Sequence, residues 1–263
     1  MDAVSRRTVL RSASVVAGAA AFGGLWARAA PPALAAGNPH RDVAADARMV
    51  WKRLPKNWQE GPFLANGYLG AQVYAGKTPE TLKVMLSHSQ VQDQRIQWEA
   101  GIGLSRLPIG YLTLTLAGAV TAVDWTLDLY NAELGGTITT TQGSVAFSAV
   151  VHNDLGVLLV SMTPSAGETG AAWAFQPLES ATTRTVRKPP EYVANPAPEI
   201  GDGYCAQPML AGGGYTTAWR ERRIGARRLF AASVAYSFPG TTHTADALDG
   251  VRKALAANPD ALL

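Results

Sequence analysis

From Leu69 to Met162 the chain is a succession of short runs in which apolar and polar residues alternate, and that period restricts it to β structure. Leu69, Ala71, Val73 and Ala75 share one face of the first run. Leu82, Val84 and Leu86 share a face over residues 81–87, and Leu112, Leu114 and Leu116 over 111–116. Further runs occupy residues 124–130, 136–141, 144–151 and 156–162, separated by Gly, Asn or Asp, and two more are expected at 215–220 and 228–237. Short β-rich runs punctuated in this way predict a mainly β fold, an antiparallel sandwich. The period changes near the end. Ala245, Leu248, Val251 and Leu255 fall on one helical face, Thr244 is placed to cap that helix and Asn258-Pro259 to end it. Residues 260–263 read as the start of another helix, so the sandwich is expected to be the front part of a longer protein.

The first hairpin is written most clearly. Asn66-Gly67 is a turn signal, because both residues tolerate a positive φ. It stands between Phe63-Leu64 and the run that begins at Leu69. Before it lies an irregular segment with Trp51, Pro55, Trp58 and Pro62, whose tryptophans suit either the edge of a core or a platform for sugar rings. After it, residues 87–98 are polar and less regular. Residues 186–203 are rich in proline and are expected to form a long surface loop.

The N-terminus carries a different kind of signal. Ser5-Arg6-Arg7-Thr8-Val9-Leu10-Arg11 matches a twin-arginine export pattern, followed by an apolar stretch over 13–26 and small residues up to Ala35. Residues 1–35 are therefore expected to be an export signal, with Arg6 and Arg7 as its key residues and membrane contact limited to export. A secreted or cell-envelope location follows. Residues 36–48 then form a polar lead-in, 49–240 the sandwich and 241–263 a helical linker.

Charge excludes one large class of partners. Four of the 23 basic residues and one of the 20 acidic ones lie in residues 1–35, which leaves 19 of each, so no nucleic-acid partner is indicated. The distribution is uneven. No Lys or Arg lies between Arg106 and Arg184, whereas Arg220, Arg222, Arg223, Arg227 and Arg228 cluster and are expected to form a solvated turn facing the acidic sheet. Cys205 stands alone and reads as a small loop residue, without a disulfide or a catalytic role.

Local chemistry is sparse. Glycoside cleavage needs two carboxyl groups about 5–5.5 Å or roughly 6.5–9.5 Å apart. Asp124 and Asp128 share a strand face, but four residues of strand separate their Cα atoms by about 13 Å. They read as solvent-facing acids. His40, His88, His152 and His243 are isolated, so no metal site and no cofactor is expected. His88 has the most polar surroundings. No catalytic residue is assigned; the candidates for contact with carbohydrate or a neighbouring domain are Trp51, Trp58, Asn66, Tyr68, His88 and Gln90.

Several segments together resemble a known family. Residues 64–76, Leu-Ala-Asn-Gly-Tyr-Leu-Gly-Ala-Gln-Val-Tyr-Ala-Gly, are similar to the early Gly-Asn-Gly-x-x-Gly-Ala segment of glycoside hydrolase family 95, the α-L-fucosidases. Residues 106–114 resemble that family's turn opening the next strand, 124–132 its Leu-Asp-Leu strand followed by Ala, and 157–164 its later Val-Leu-Val-Val strand. Residues 85–94, Met-Leu-Ser-His-Ser-Gln-Val-Gln-Asp-Gln, depart from the family's Asn-Glu…Leu-Trp-Ser-Gly stretch. The resemblance covers about residues 49–240. It implies an antiparallel β-supersandwich with a C-terminal linker helix, joined to an (α/α)6 barrel that carries the catalytic acid and base of an inverting hydrolysis. The sandwich would then pack on that barrel and shape the entrance for a glycan substrate. The alternative is a standalone carbohydrate-binding module in which Trp51, Trp58, Trp98 or Trp125 stacks on sugar.

Overall fold

The computed structural model describes residues 39–186 and 188–258. The export segment with Arg6 and Arg7, and the helix start at 260–263, lie outside them. The polar lead-in contains a short helix, α1 (Pro39–Asp46). The sandwich follows as β1 (Met49–Trp51), β2 (Phe63–Ala65), β3 (Leu69–Ala75), β4 (Thr81–His88), α2 (Ala100–Gly103), β5 (Gly110–Thr115), β6 (Val120–Asp128), β7 (Glu133–Thr140), β8 (Ser144–His152) and β9 (Val157–Pro164). Then come β10 (Ala172–Pro177), β11 (Glu199–Gly201), β12 (Tyr204–Pro208), β13 (Gly214–Ile224), β14 (Arg227–Ser237) and α3 (His243–Ala256).

The strands form two antiparallel sheets. One has nine strands in the order β1-β6-β7-β8-β9-β14-β13-β12-β11, the other five in the order β10-β5-β4-β3-β2. Alternation decides which residues meet between them. Leu82, Val84 and Leu86 of β4 and Leu112 and Leu114 of β5 face Trp125, Leu134, Ile138, Val145, Leu158 and Val160 of the larger sheet in one core. Trp125 is wholly buried there and meets Phe147 edge to face at 5.6 Å. Aromatic pairs join the sheets on the β10 side, with Trp173 stacked on Phe230 at 4.4 Å and Phe175 tilted on Trp219 at 5.1 Å. β10, β11 and β12 were not legible as strands. Alanines and a terminal proline weaken the β pattern of β10, and β11 is only three residues long.

α3 covers the outer face of β9, β13 and β14, where Val157, Leu159, Ala218, Leu229 and Ala231 form a second core with Ala247, Val251 and Ala254. The buried helix face is rotated from the expected one. Val251 holds its place, Leu248 and Leu255 are half-buried and Ala245 is exposed. Small Ala247 and Ala254 lie closest to the sheet because they let the helix approach it. Thr244 does not cap. The helix begins at His243, two residues before the expected start, and the Thr244 hydroxyl instead shares a hydrogen bond of 2.9 Å with Thr216.

The irregular segments are tied down by buried carboxylates. Asp93 is fully buried and accepts bonds from Arg95 Nε (2.8 Å) and Nη2 (2.7 Å) and from the Tyr192 hydroxyl (2.7 Å). Arg95 donates on to the Val193 carbonyl at 2.8 Å and lies 4.0 Å from the Tyr192 ring centroid. Asn195 bonds Ser180 and the Leu210 amide. The proline-rich segment is thus a surface loop clamped at Tyr192 and Asn195. Gln94, between the ion-paired residues, has φ +61, a conformation held by its two anchored neighbours. Glu168, also fully buried, accepts the Ala117 N–H at 2.8 Å, the Gly118 N–H at 3.0 Å and the Thr140 hydroxyl at 2.5 Å. It knots three turns at one end of the sandwich, without a cationic partner among the described residues.

Among the arginines of the β13–β14 hairpin, Arg228 is buried and paired with Glu221 at 2.9 and 2.6 Å. Arg222 donates to the Leu255 carbonyl near the C-terminus of α3, where a cation complements the helix dipole. The cluster is therefore part of the fold's own bonding and not only a solvated turn.

Glu168→Ala strips the acceptor from one buried and one part-buried amide and from a buried hydroxyl; a buried group left unmet costs about 1–3 kcal/mol. The expected loss is about 3 kcal/mol, a fall in Tm of roughly 6–12 °C for a domain of this size. Thermal unfolding of this variant beside Glu168→Gln, which retains one oxygen, measures it; an unchanged Tm would remove the knot.

Candidate functional site

The sequence candidates lie in two places, both created by the opening segment. The first is the end of the sandwich opposite Glu168. There Asn66 occupies the β2–β3 turn, its Oδ1 accepting the Tyr68 N–H at 3.0 Å and the Leu69 N–H at 2.9 Å. Gly67 has φ +93, which an L side chain rarely adopts. The Asn66 amide also donates to the His152 carbonyl at 3.3 Å and so ties the smaller sheet to the β8–β9 turn of the larger one. His152 orders that turn by accepting the Asp154 and Leu155 amides on Nδ1.

Tyr68 is exposed and stacks on His88, with ring centroids 6.3 Å apart. His88 Nδ1 accepts the Gln90 amide at 3.3 Å, and burial pushes its imidazole below the usual pKa, favouring the neutral form that can accept. Gln90 itself is exposed. Asn66, Tyr68, His88 and Gln90 are thus neighbours around one turn.

The second place is the flank between β1 and the connector over residues 52–62. The connector leaves the edge of the nine-stranded sheet and arrives at the edge of the five-stranded one. On the way Pro55 and Pro62 carbonyls accept the Ala75 and Val73 amides. Trp51 is half-buried against the main core, and its indole N–H donates to the Glu60 carbonyl at 2.7 Å. It plugs the flank. Val50, Trp51, Lys52, Arg53, Pro55 and Glu60 line a cleft of about 580 Å³. Lys52 is paired with Asp124 at 2.5 Å and Arg53 with Glu60 at 2.9 Å. Arg53, helped by the Lys56 amide, holds the Glu60 carboxyl below its usual pKa. Trp58 lies on the same connector, 58% exposed, and its carbonyl accepts the Gln72 amide.

Other expectations change with burial. Trp125 is completely enclosed and cannot stack on a sugar. Trp98 packs against the small cluster of Ile102, Ala181 and Tyr192. Asp124 is held by Lys52, while Asp128 accepts the Tyr130 and Asn131 amides and orders the β6–β7 turn. Cys205 sits in β12 rather than in a loop, 5% exposed, with burial pushing its thiol up to about 11. His243 Nδ1 lies 2.8 Å from the Thr216 hydroxyl, and the side chain of His40 is outside the described set. Among the described residues no group of three or more His, Cys, Asp or Glu could hold a metal, and no helix is long and apolar enough to cross a membrane. Sequence reading missed the Asp93–Arg95–Tyr192–Asn195 cluster. Its one visible signal was an Asp-x-Arg pair inside an otherwise neutral stretch, which fits an exposed ion pair equally well.

No family model and no curated protein matches the chain. Among solved structures, a protein assigned as a kojibiose phosphorylase from human microbiome aligns at a TM-score of 0.41 and 11% identity, over 76% of this chain and 31% of its own. This chain therefore spans about a third of that structure's length, and the overlap is below what fixes a shared fold.

Asn66→Ala removes two turn bonds and the bond to His152, and is expected to cost about 1–2 kcal/mol, seen as a Tm lower by roughly 2–8 °C. Equal thermal midpoints would show that the turn holds without it. Cys205 is expected to resist a disulfide reagent at pH 8 in the folded protein and to react fully in denaturant; rapid labelling of the native chain would contradict its burial.

Proposed function

We propose that this chain is the non-catalytic β-sandwich region of an exported glycoside hydrolase of the family 95 type, an α-L-fucosidase or related glycosidase acting on plant or host glycans. In this reading it packs on a catalytic (α/α)6 barrel of the same polypeptide and shapes the entrance to it. Export uses the twin-arginine signal with Arg6 and Arg7, placing the protein outside the cytoplasmic membrane.

One observation carries the reading. The four segments that resemble family 95 fall, in chain order, on the β2–β3 hairpin, on β5, on β6 with its following turn, and on β9. All four belong to one antiparallel two-sheet sandwich, the architecture that the resemblance implies. The acids that could have suggested chemistry here have other work: Asp124 neutralises Lys52, Asp128 orders a turn, and Asp93 and Glu168 are sealed in the interior. The supply of a catalytic acid and base falls to the barrel.

The test has two arms. Aryl α-L-fucosides and fucosylated oligosaccharides are expected to be left intact by residues 36–263, and robust turnover would overturn the non-catalytic role. The reading frame beyond codon 263 is expected to continue for several hundred codons with helical period. A stop codon there would remove the barrel and leave a standalone module.

A further inference from the structure

We propose that the outer face of the five-stranded sheet carries a binding site for a neutral saccharide chain, built on the Phe63 ring with the Ser87 hydroxyl and the Gln72 side-chain amide beside it. Strand alternation puts these groups on one face. Leu64, Ala71, Val73 and Leu86 belong to the core, so Phe63 of β2, Gly70 and Gln72 of β3 and Ser87 of β4 all point outward. Phe63 stands opposite Gln72, and Gly70 opposite Ser87. The glycine is the point where they meet. A Cβ on Gly70 would lie 3.0 Å from both Cε2 and Cζ of Phe63 and 2.7 Å from Ser87 Oγ. From its place opposite Gln72, the ring reaches that point only by leaning diagonally across the strand pair, so it lies down on the bare backbone of β3. One side of the ring is therefore turned to the sheet. Phe63 is nevertheless 55% exposed, which leaves the other side in solvent.

The polar groups around the ring are held in place without being used up. Gln72 Nε2 donates to the Trp58 carbonyl, which orients the amide. Gln72 Oε1 and Ser87 Oγ have no hydrogen-bond partner among the described residues. The surroundings are neutral. Among the described residues of these five strands Lys83 is the only Lys, Arg, Asp or Glu, and its ammonium lies over the Tyr111 ring at 3.7 Å from the centroid. A pyranose matches this arrangement. Its apolar C–H face packs on an aromatic ring, while the hydroxyls at its rim, each both donor and acceptor, meet an amide oxygen and a hydroxyl. The ring and the amide are already fixed, so binding orders little. A protein partner fits the face less well, because Gln72 interrupts the row between Phe63 and Met85 and breaks the apolar patch that an interface core requires. The inference rests on the glycan-active reading only for its choice of probe sugars.

The test follows the Gly70 backbone amide and the Gln72 side-chain amide of the full chain in ¹⁵N spectra during titration with cellohexaose, xylohexaose, mannohexaose and a fucosylated xyloglucan oligosaccharide, with polygalacturonate as the anionic control. At least one neutral oligosaccharide is expected to shift both resonances. Phe63→Leu, which keeps an apolar side chain at an exposed position, is expected to weaken binding roughly tenfold while core resonances stay in place. Ser87→Ala is expected to weaken it roughly fivefold, and Phe63→Tyr to retain it. Unmoved resonances with all four sugars overturn the site, as does unchanged affinity in Phe63→Leu. Tighter binding of polygalacturonate also overturns it. So do shifts that follow protein concentration without sugar, which would assign the face to a second copy of this chain. None of these results bears on fucoside turnover or on the downstream reading frame, so failure of this site and failure of the hydrolase reading remain distinguishable.

Discussion

Two sheets of unequal width have to share one core. Strands lie about 4.8 Å apart, so nine of them span roughly 40 Å and five only about half of that. The inner face of the larger sheet therefore extends past the smaller one on both flanks and would expose apolar side chains unless something else covered them. On one flank the cover is the connector over 52–62, which brings Leu54 to the main core beside the ring of Trp51 at the end of β1. On the other it is the pair of segments over 88–109 and 178–210. Val91, Leu107, Ile109 and Met209 from those segments join the same core as Tyr215 and Val234. The Tyr215 hydroxyl donates to the Pro108 carbonyl at 3.0 Å, and burial raises its pKa far above the usual phenol value.

Irregular cover creates a second problem. A loop has no ladder for its backbone N–H and C=O groups, and buried groups must still be paired. The buried carboxylates answer this. Asp93 gathers a guanidinium and a phenol, which in turn hold the Val193 carbonyl and the Thr182 amide. Glu168 collects two amides and a hydroxyl by itself. Ion pairs sealed in this way contribute little net stability, because desolvation offsets attraction, but removing one partner strands the other. Their effect is to fix one arrangement of loops that could otherwise pack in several.

The two levels of organisation differ in how far the sequence reveals them. The sandwich is written in period two, and the turns in Gly, Asn and Asp, so β3 to β9 and the β13–β14 pair could be read directly. The Asn66-Gly67 hairpin was legible because turn chemistry is local. The cover was not. Asp93 lies in a polar run and Asp124 in an alternating one, yet the first is fully buried and the second is exposed beside Lys52. The difference depends on Tyr192 and Asn195, roughly a hundred residues away, and no window of sequence contains that distance. The tryptophans show the same limit. Trp51 and Trp125 pair across β1 and β6, but the first lies at a flank and the second at the centre.

The cleft is a consequence of the same mismatch. The connector crosses from the edge of one sheet to the edge of the other, bonded to β3 through the Pro55 and Pro62 carbonyls, and leaves a cleft beside β1. Trp51 is constrained twice, by the core it seals and by its half-buried place at the flank. A polar residue at this position would satisfy the surface and unseal the core, whereas a smaller apolar one would leave a void at the edge of both sheets. An indole meets both demands, since its body is apolar and its one N–H finds the Glu60 carbonyl. The closure of the flank thus accounts by itself for an indole at this position.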